Sequence, residues 1–382
     1  MEREVLIVNE KSNIKKRESN LELFRIIVMI LIVAHHYVVN SSLMADGEMI
    51  MSNPLSWRSI FLLLFGAWGK IGINCFVLIT GYFMCKSKIT LKKFCKLLFE
   101  IMFYRIVISS IFWISGYSPF SFKGLIKVLI PIMTIGDNFA SAFLVFFLTI
   151  PFLNILVRNL KERQHILLLV LSFFLYVFLG TVPYFSVTMN YVSWFIVLYF
   201  ISSYISLHSK RIFESAKVWG VASIICILLS VGSVVACAWA STRFDGLSPF
   251  YFVTDSNTFL AVATGLSLFM FFKNIKMKPN RFINAVAATT FGVLLIHANS
   301  DAMRQWLWVD LLKNVNMYSS SWMPLHAIGS VIGVFVVCSI IDFIRIMLIE
   351  RPFFKLINPA LDKISIWGTN TYDKFCNRFN IE

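Results

Sequence analysis

Charge is scarce in this chain. Charged residues make up 14% of the 382 positions and hydrophobic residues 58%, where a soluble domain carries about 25% charged residues. The mean hydropathy is +0.75 and apolar runs recur from end to end, so a soluble globular fold is excluded and a polytopic membrane protein is indicated. Acidic residues are scarcer still, with 20 Asp and Glu against 35 Lys and Arg and a net charge of +15. In a soluble protein that excess would suggest nucleic acid. In an apolar chain the retention of Lys and Arg on the cytoplasmic side accounts for it, and no nucleic-acid partner is expected. The seven cysteines are an odd number, scattered mostly within apolar runs, which argues against a disulfide framework. No Cys/His spacing suits a metal ion, and no glycine-rich loop suits a P-loop or dinucleotide site. About twenty polar residues precede the first apolar run, so a basic leader before a signal anchor is expected rather than a cleavable signal peptide.

The apolar runs mark an all-α fold with about ten membrane-spanning helices, at 20–40, 57–84, 94–115, 139–157, 165–180, 191–207, 217–240, 256–273, 282–300 and 326–349. A further apolar stretch, 120–135, is broken by Lys123, Lys127 and Pro131. It is too short to span and reads as interfacial or re-entrant. With the N-terminus inside, the inner segments hold Lys11, Lys15, Lys16 and Arg17, then Lys86, Lys88, Lys92 and Lys93, Arg158, Lys161 and Arg163, Lys210, Arg211 and Lys217, and Lys273, Lys276, Lys278 and Arg281. The outer segments hold only Arg58, Lys123, Lys127, Arg243, Arg304 and Lys313. An odd number of spans would break this alternation, so both termini are expected in the cytoplasm. The chain divides into a basic cytoplasmic leader 1–19, a membrane domain 20–349 and an amphipathic cytoplasmic tail 350–382. A non-enzymatic transporter or flippase of lipid-linked sugars would share these features but is usually built from paired half-repeats, and no clear repeat is present.

The first span organises the rest. Residues 20–37 read NLELFRIIVMILIVAHHY, an apolar helix that nonetheless carries Glu22, Arg25, His35 and His36. Ionisable groups inside such a helix are costly and point to function. Arg25 and His36 are eleven residues apart, which puts them within about 20° of one face and about 16 Å apart along the axis. His35 falls about 80° off that stripe. His36 reads either as a buried structural imidazole or as chemistry: a general base, since a free imidazole titrates at about pH 6.5, or a nucleophile that is transiently acylated. Arg25 reads as a snorkelling arginine, paired with Glu22 at i, i+3, or as an anion-binding group for a donor.

Other candidates carry similar pairs of readings. In the second span, Gly72 and Gly81 suit close helix packing, and Asn74 suits either an interhelical hydrogen bond or the orienting of an active-site side chain. Lys86, Lys88, Lys92, Lys93 and Lys96 fit topology and anionic lipid, or the phosphates of a nucleotide-bearing donor such as coenzyme A. Arg105 lies within the third span and needs a carboxylate, carbonyl or ligand partner, because Glu100 lies off its face. Trp194 and Tyr199 fit an interfacial aromatic belt or a stacking platform for sugar rings. His297 lies near the outer end of its span, where Asp301 could orient it or contact sugar hydroxyls. Asp342 and Arg345 form an i, i+3 pair that would neutralise itself.

Taken together, these segments resemble the membrane-bound acyltransferase-3 family. The likeness is carried by Glu22-Leu-Phe-Arg25 with His36, Gly72-Ile-Asn-Cys-Phe-Val-Leu-Ile-Thr-Gly81, Ile150-Pro-Phe-Leu-Asn154, Trp194-Phe-Ile-Val-Leu-Tyr199, Thr290-Phe-Gly-Val-Leu-Leu-Ile-His297 and Ile349-Glu-Arg-Pro352, in this order along the chain. Lys92, Lys93 and Lys96 stand where many relatives have an arginine pair, and Asn138-Phe139 where many have Trp-Phe. The resemblance implies a bacterial plasma-membrane O-acetyltransferase with no permanently bound cofactor. Acetyl-coenzyme A would be its co-substrate, and a cell-surface polysaccharide or lipid-linked oligosaccharide its acceptor. It implies His36 as catalytic residue with Arg25 as its donor-side partner. The candidate donor-binding set is then Arg25, Lys92, Lys93, Lys96 and Arg105. The candidate substrate-binding set is Glu22, Asn74, Trp194, Tyr199, His297 and Asp301.

Overall fold

The computed structural model describes residues 18–379 apart from 46, 137, 183 and 186–189. All but the last two residues of the leader 1–19, including Lys11, Lys15, Lys16 and Arg17, therefore lie outside the described residues, as does part of the turn at 181–190. The described chain is all-helical. In order it forms α1 Ser19–Val39, α2 Trp57–Met84, α3 Leu91–Ile114, α4 Phe139–Asn159, α5 Glu162–Thr181 and α6 Tyr191–Leu207. These are followed by α7 Ala216–Ser241, α8 Phe259–Asn274, α9 Arg281–His297 and α10 Asp301–Met317. The chain closes with α11 Met323–Arg345, which runs through a π-turn at Ile346–Glu350 into α12 Arg351–Phe379.

Local sequence explains where these helices start. The first backbone N–H groups of a helix have no partner within it, and a side-chain oxygen supplies one. Ser56, Thr90, Asn138, Asn190, Ser215, Asn280 and Ser300 do this for α2, α3, α4, α6, α7, α9 and α10. Two breaks shape the interior. The helix α2 is interrupted between Gly66 and Gly69, and α9 and α10 meet at a bend of 97° across the short break after His297.

Among the described residues, seven helices are long and apolar enough to cross a membrane, or eight if the bent α9–α10 pair is one span. The helices α6 and α8 are apolar too, but only 17 and 16 residues long, short of the roughly 20 needed to span the hydrocarbon. They occupy the sixth and eighth of the spans expected from sequence, and their inward sides are largely buried. The stretch 120–135 forms a helix at Phe122–Leu129 and a 3-10 turn at Pro131–Thr134, too short to cross, as expected.

The helix α1 sits at the centre, packed against α2, α8, α9 and α11, with Leu21, Phe24, Val28, Met29, Val33 and Tyr37 fully enclosed. Helices in lipid associate through close packing rather than apolar burial, and small residues permit it. A Cβ on Gly72 would lie 2.8 Å from Ile32 Cγ1, and one on Gly81 would lie 2.1 Å from Ser202 Oγ. Both are packing glycines, at the α1–α2 and α2–α6 contacts. The outer faces are apolar, as lipid requires: Ile224, Leu228 and Leu229 on α7 and Ile332, Val336 and Ile340 on α11 are exposed.

Candidate active site

The helix α1 presents its two key side chains to two cavities at opposite ends of the bundle. His36 lines a cavity of about 260 Å³ with His35, Lys70, Arg105, Tyr191 and Arg304. Arg25 lines one of about 720 Å³ with Lys96, Glu100, Arg281, Arg345 and Arg351. Phe76 lines both. Its ring lies 5.9 Å from Phe143 and 6.1 Å from Phe291, which face the Arg25 side, and 6.0 Å from Phe139, which faces the His36 side. A group of phenylalanines thus stands between the two cavities.

The bend after α9 explains how His36 is held. His297 is the last residue of α9, and its Nδ1 lies 2.6 Å from the Val293 carbonyl. A carbonyl only accepts, so that nitrogen carries the proton. With both rings neutral, His297 Nε2 is then an acceptor, and it lies 2.9 Å from His36 Nδ1. His36 Nδ1 must donate, which leaves the lone pair of His36 on Nε2 in a ring that lines the cavity. The chain Val293 carbonyl, His297, His36 therefore selects one tautomer of His36 and leaves a base on the cavity wall.

His35 is set by the break in α2. The Gly66 carbonyl, at the end of the first α2 segment, accepts a hydrogen bond from His35 Nδ1 at 2.6 Å. The missing side chain of Gly69 makes room, since a Cβ there would lie 2.2 Å from His35 Cγ. The ring therefore reaches the same cavity as His36, although the helical wheel puts it off the Arg25–His36 stripe. A Gly69→Ala protein is expected to lose this seat and to be destabilised by about 1–3 kcal/mol from overpacking. Thermal unfolding in nanodiscs checks it, and an unchanged midpoint would contradict the packing.

At the other end, Arg25 Nη1 pairs with Glu22 at 3.3 Å. Arg345 is gripped by Glu100 at 3.1 Å, Asp342 at 2.7 Å and Glu350 at 2.6 Å. Lys96 reaches Glu350 at 2.8 Å. The expected Asp342–Arg345 pair is present, but as part of a larger network that also takes in Tyr104, whose hydroxyl donates to Asp342 at 2.8 Å.

The sequence candidates distribute as follows. Arg25 and Lys96 share the larger cavity. Lys92 pairs with Asp362 of α12, and Lys93 bonds Ser87 Oγ and the Lys88 carbonyl; neither lines it. Arg105 lies at the His36 end. Asn74 and Trp194 bond each other at 2.9 Å in the buried core, and Asn74 also donates to the Ser256 and Ala261 carbonyls. Tyr199 donates to Asn154 at 2.5 Å. These three are interhelical ties that line neither cavity. Asp301 pairs with Arg304 at 2.9 Å, with its own side chain 99% exposed. Sequence reasoning does not name His35, Lys70, Tyr191 and Arg304 as site residues at one end, or Arg281 and Arg351 at the other. For all but His35, which is on α1 itself, their position at helix ends is the available signal.

A family model described as an acyltransferase domain matches residues 18–343, from just before α1 into α11. No curated protein and no solved structure matches the chain. The matched stretch takes in Arg25, His36, His297 and most of the walls of both cavities, and the chain belongs to the acyltransferase-3 family.

Proposed function

We propose that this membrane acyltransferase is an O-acetyltransferase of the bacterial plasma membrane, moving an acetyl group from acetyl-coenzyme A to a hydroxyl of a cell-surface or exported polysaccharide or its lipid-linked precursor. The observation that carries this reading is the hydrogen-bonded chain that leaves His36 Nε2 as a free base on one cavity, with a cation-lined cavity at the opposite end. Ten crossings with both termini in the cytoplasm belong to the same reading, because the basic segments alternate with the spans. That topology opens the Arg25 cavity to the cytoplasm and the His36 cavity to the outer side.

Arg25, Lys96, Arg281 and Arg351 suit the phosphates of the donor, guanidinium groups being matched to phosphate oxygens. When bound, the donor supplies an activated thioester. His36 Nε2 takes the proton of the acceptor hydroxyl, the oxygen attacks the thioester carbonyl, and the carbon–sulfur bond breaks as the imidazolium returns that proton to sulfur, releasing the thiol of coenzyme A and restoring the base. His297 holds the base in the tautomer this requires.

The test uses purified protein in nanodiscs with labelled acetyl-coenzyme A, with and without bacterial polysaccharide extract. Label is expected to enter the polysaccharide as an alkali-labile ester. The Arg25→Ala protein is expected to show a donor KM raised about tenfold or more, the loss of one charge-assisted contact. Absence of transfer to any extract, or an unchanged donor KM, would count against the respective parts of the reading.

A further inference from the structure

The His36 cavity gathers positive charge. Lys70, Arg105 and Arg304 line it, and among the described residues no Asp or Glu does. Lys70 Nζ donates to the Tyr191 hydroxyl at 2.9 Å. Arg105 donates to Thr134 Oγ1, Ser141 Oγ and the Lys127 carbonyl, all uncharged oxygens. The Nε atoms of Arg105 and Arg304 are buried without a hydrogen-bond partner among the described residues. Arg304 has a carboxylate, the exposed Asp301. Among the described residues, neither Lys70 nor Arg105 forms an ion pair.

Uncompensated cations inside a membrane protein are costly, and a guanidinium cannot escape by losing its proton. The same molecule shows how it treats an arginine that serves structure: Arg345, at the other end, has three carboxylates around it. Lys70 and Arg105 are left open beside the base. We infer that the acceptor is an anionic glycan, whose carboxylate or phosphate docks on Lys70 and Arg105 while a neighbouring hydroxyl meets His36. This rests on the reading above that the acceptor enters the His36 cavity. The donor's phosphates have their own cations at the Arg25 end, beyond the phenylalanine group.

The chemistry is that of a sugar-bound anion, and two sources supply it: a uronate within the glycan, or a phosphate such as the pyrophosphate of a lipid-linked precursor. The experiment measures equilibrium binding of three probes to the full-length protein in nanodiscs without acetyl-coenzyme A: trigalacturonate, its carboxyl-reduced counterpart and inorganic pyrophosphate. At least one anionic probe is expected to bind tenfold or more tightly than the neutral one. Lys70→Gln and Arg105→Gln should each weaken that binding about tenfold and leave the neutral probe unchanged, in proteins whose thermal midpoints match wild type. The tighter anion identifies the source. Equal affinity for charged and neutral probes, no binding of either anion, parallel weakening of the neutral probe, or sensitivity only to Arg281→Gln at the other cavity would each overturn the inference. A His36→Ala protein that still transferred acetyl groups would instead sink the proposed function and leave this binding pattern in place.

Discussion

Replacing His36 with alanine is expected to lower acyl transfer by about 10²–10⁴-fold, the usual contribution of a positioned general base, with donor binding unchanged. The expectation follows from the tautomer. His36 Nδ1 is committed to His297 and His297 Nδ1 to the Val293 carbonyl, so removal of His36 removes the lone pair that His297 orients; the ring of His35, held by the Gly66 carbonyl, has no such partner among the described residues and lies off the Arg25–His36 stripe. A graded second effect accompanies it. His297→Phe keeps a ring beside His36 but frees its tautomer and orientation, and is expected to cost about 10²-fold in kcat, the scale of a small misplacement of a reacting group. Donor KM should stay unchanged in both proteins, because neither residue lines the Arg25 cavity. A His297→Phe protein with wild-type kcat would show that the two-histidine contact is packing alone.

The largest stability effect is expected at Arg345. Its guanidinium is 2% exposed and meets Glu100, Asp342 and Glu350, with side chains 12%, 0% and 4% exposed. Arg345→Met leaves Glu350 to Lys96, strands Glu100 and leaves Asp342 with only the Tyr104 hydroxyl. Stranding the partners of a buried ion pair costs about 3–5 kcal/mol, read here as a drop in Tm of roughly 5–10 °C. Asp342 has little room to adjust, since a Cβ on Gly292 would lie 2.1 Å from its Cγ and its Oδ2 is buried without a hydrogen-bond partner among the described residues. Thermal unfolding in nanodiscs checks this. Adding Glu100→Gln and Asp342→Asn to the methionine variant should recover much of the loss, whereas an unchanged Tm in Arg345→Met would mean that the network contributes nothing.

Much of this arrangement is legible in the sequence, for reasons that can be named. The spacing of Arg25 and His36 puts them at two ends of one helix face, where the two cavities lie, because helix rise and turn are fixed by the backbone. The all-helical membrane fold follows from apolar run length, and Gly72 and Gly81 from the need for small residues where helices meet. Asn74, Trp194 and Tyr199 look like binding groups because polar atoms in apolar helices are conspicuous. Their partners are other helices, Asn74 with Trp194 and Tyr199 with Asn154, and no one-dimensional pattern pairs residues so far apart. Arg105 groups with the lysines at the start of α3 by charge, yet it stands fourteen positions beyond Leu91, about 21 Å along the axis. Helix rise alone sends it to the His36 end. Arg281 and Arg351 are absorbed into the topology signal, since a cation at a helix end serves orientation and ligand binding alike. His35 escapes because the break in α2 at Gly66 is a tertiary event that offers a carbonyl the helical wheel does not contain.

Aromatic rings stand between the two cavities. Phe76 borders both cavities and packs against Phe143 and Phe291, so under the proposed function a donor held at Arg25 would meet the base at His36 only past this aromatic group. The two ends are therefore chemically distinct, with imidazoles and cations at one and an arginine–carboxylate network at the other.

The most direct measurement is a single turnover of labelled acetyl-coenzyme A by wild-type and His36→Ala protein in nanodiscs, quenched and divided into glycan, protein and donor fractions. The account predicts that label passes to the glycan only when His36 is present and that the protein fraction stays unlabelled. Transfer by the alanine protein at the wild-type rate, or label trapped on the wild-type protein when the glycan is withheld, would contradict it.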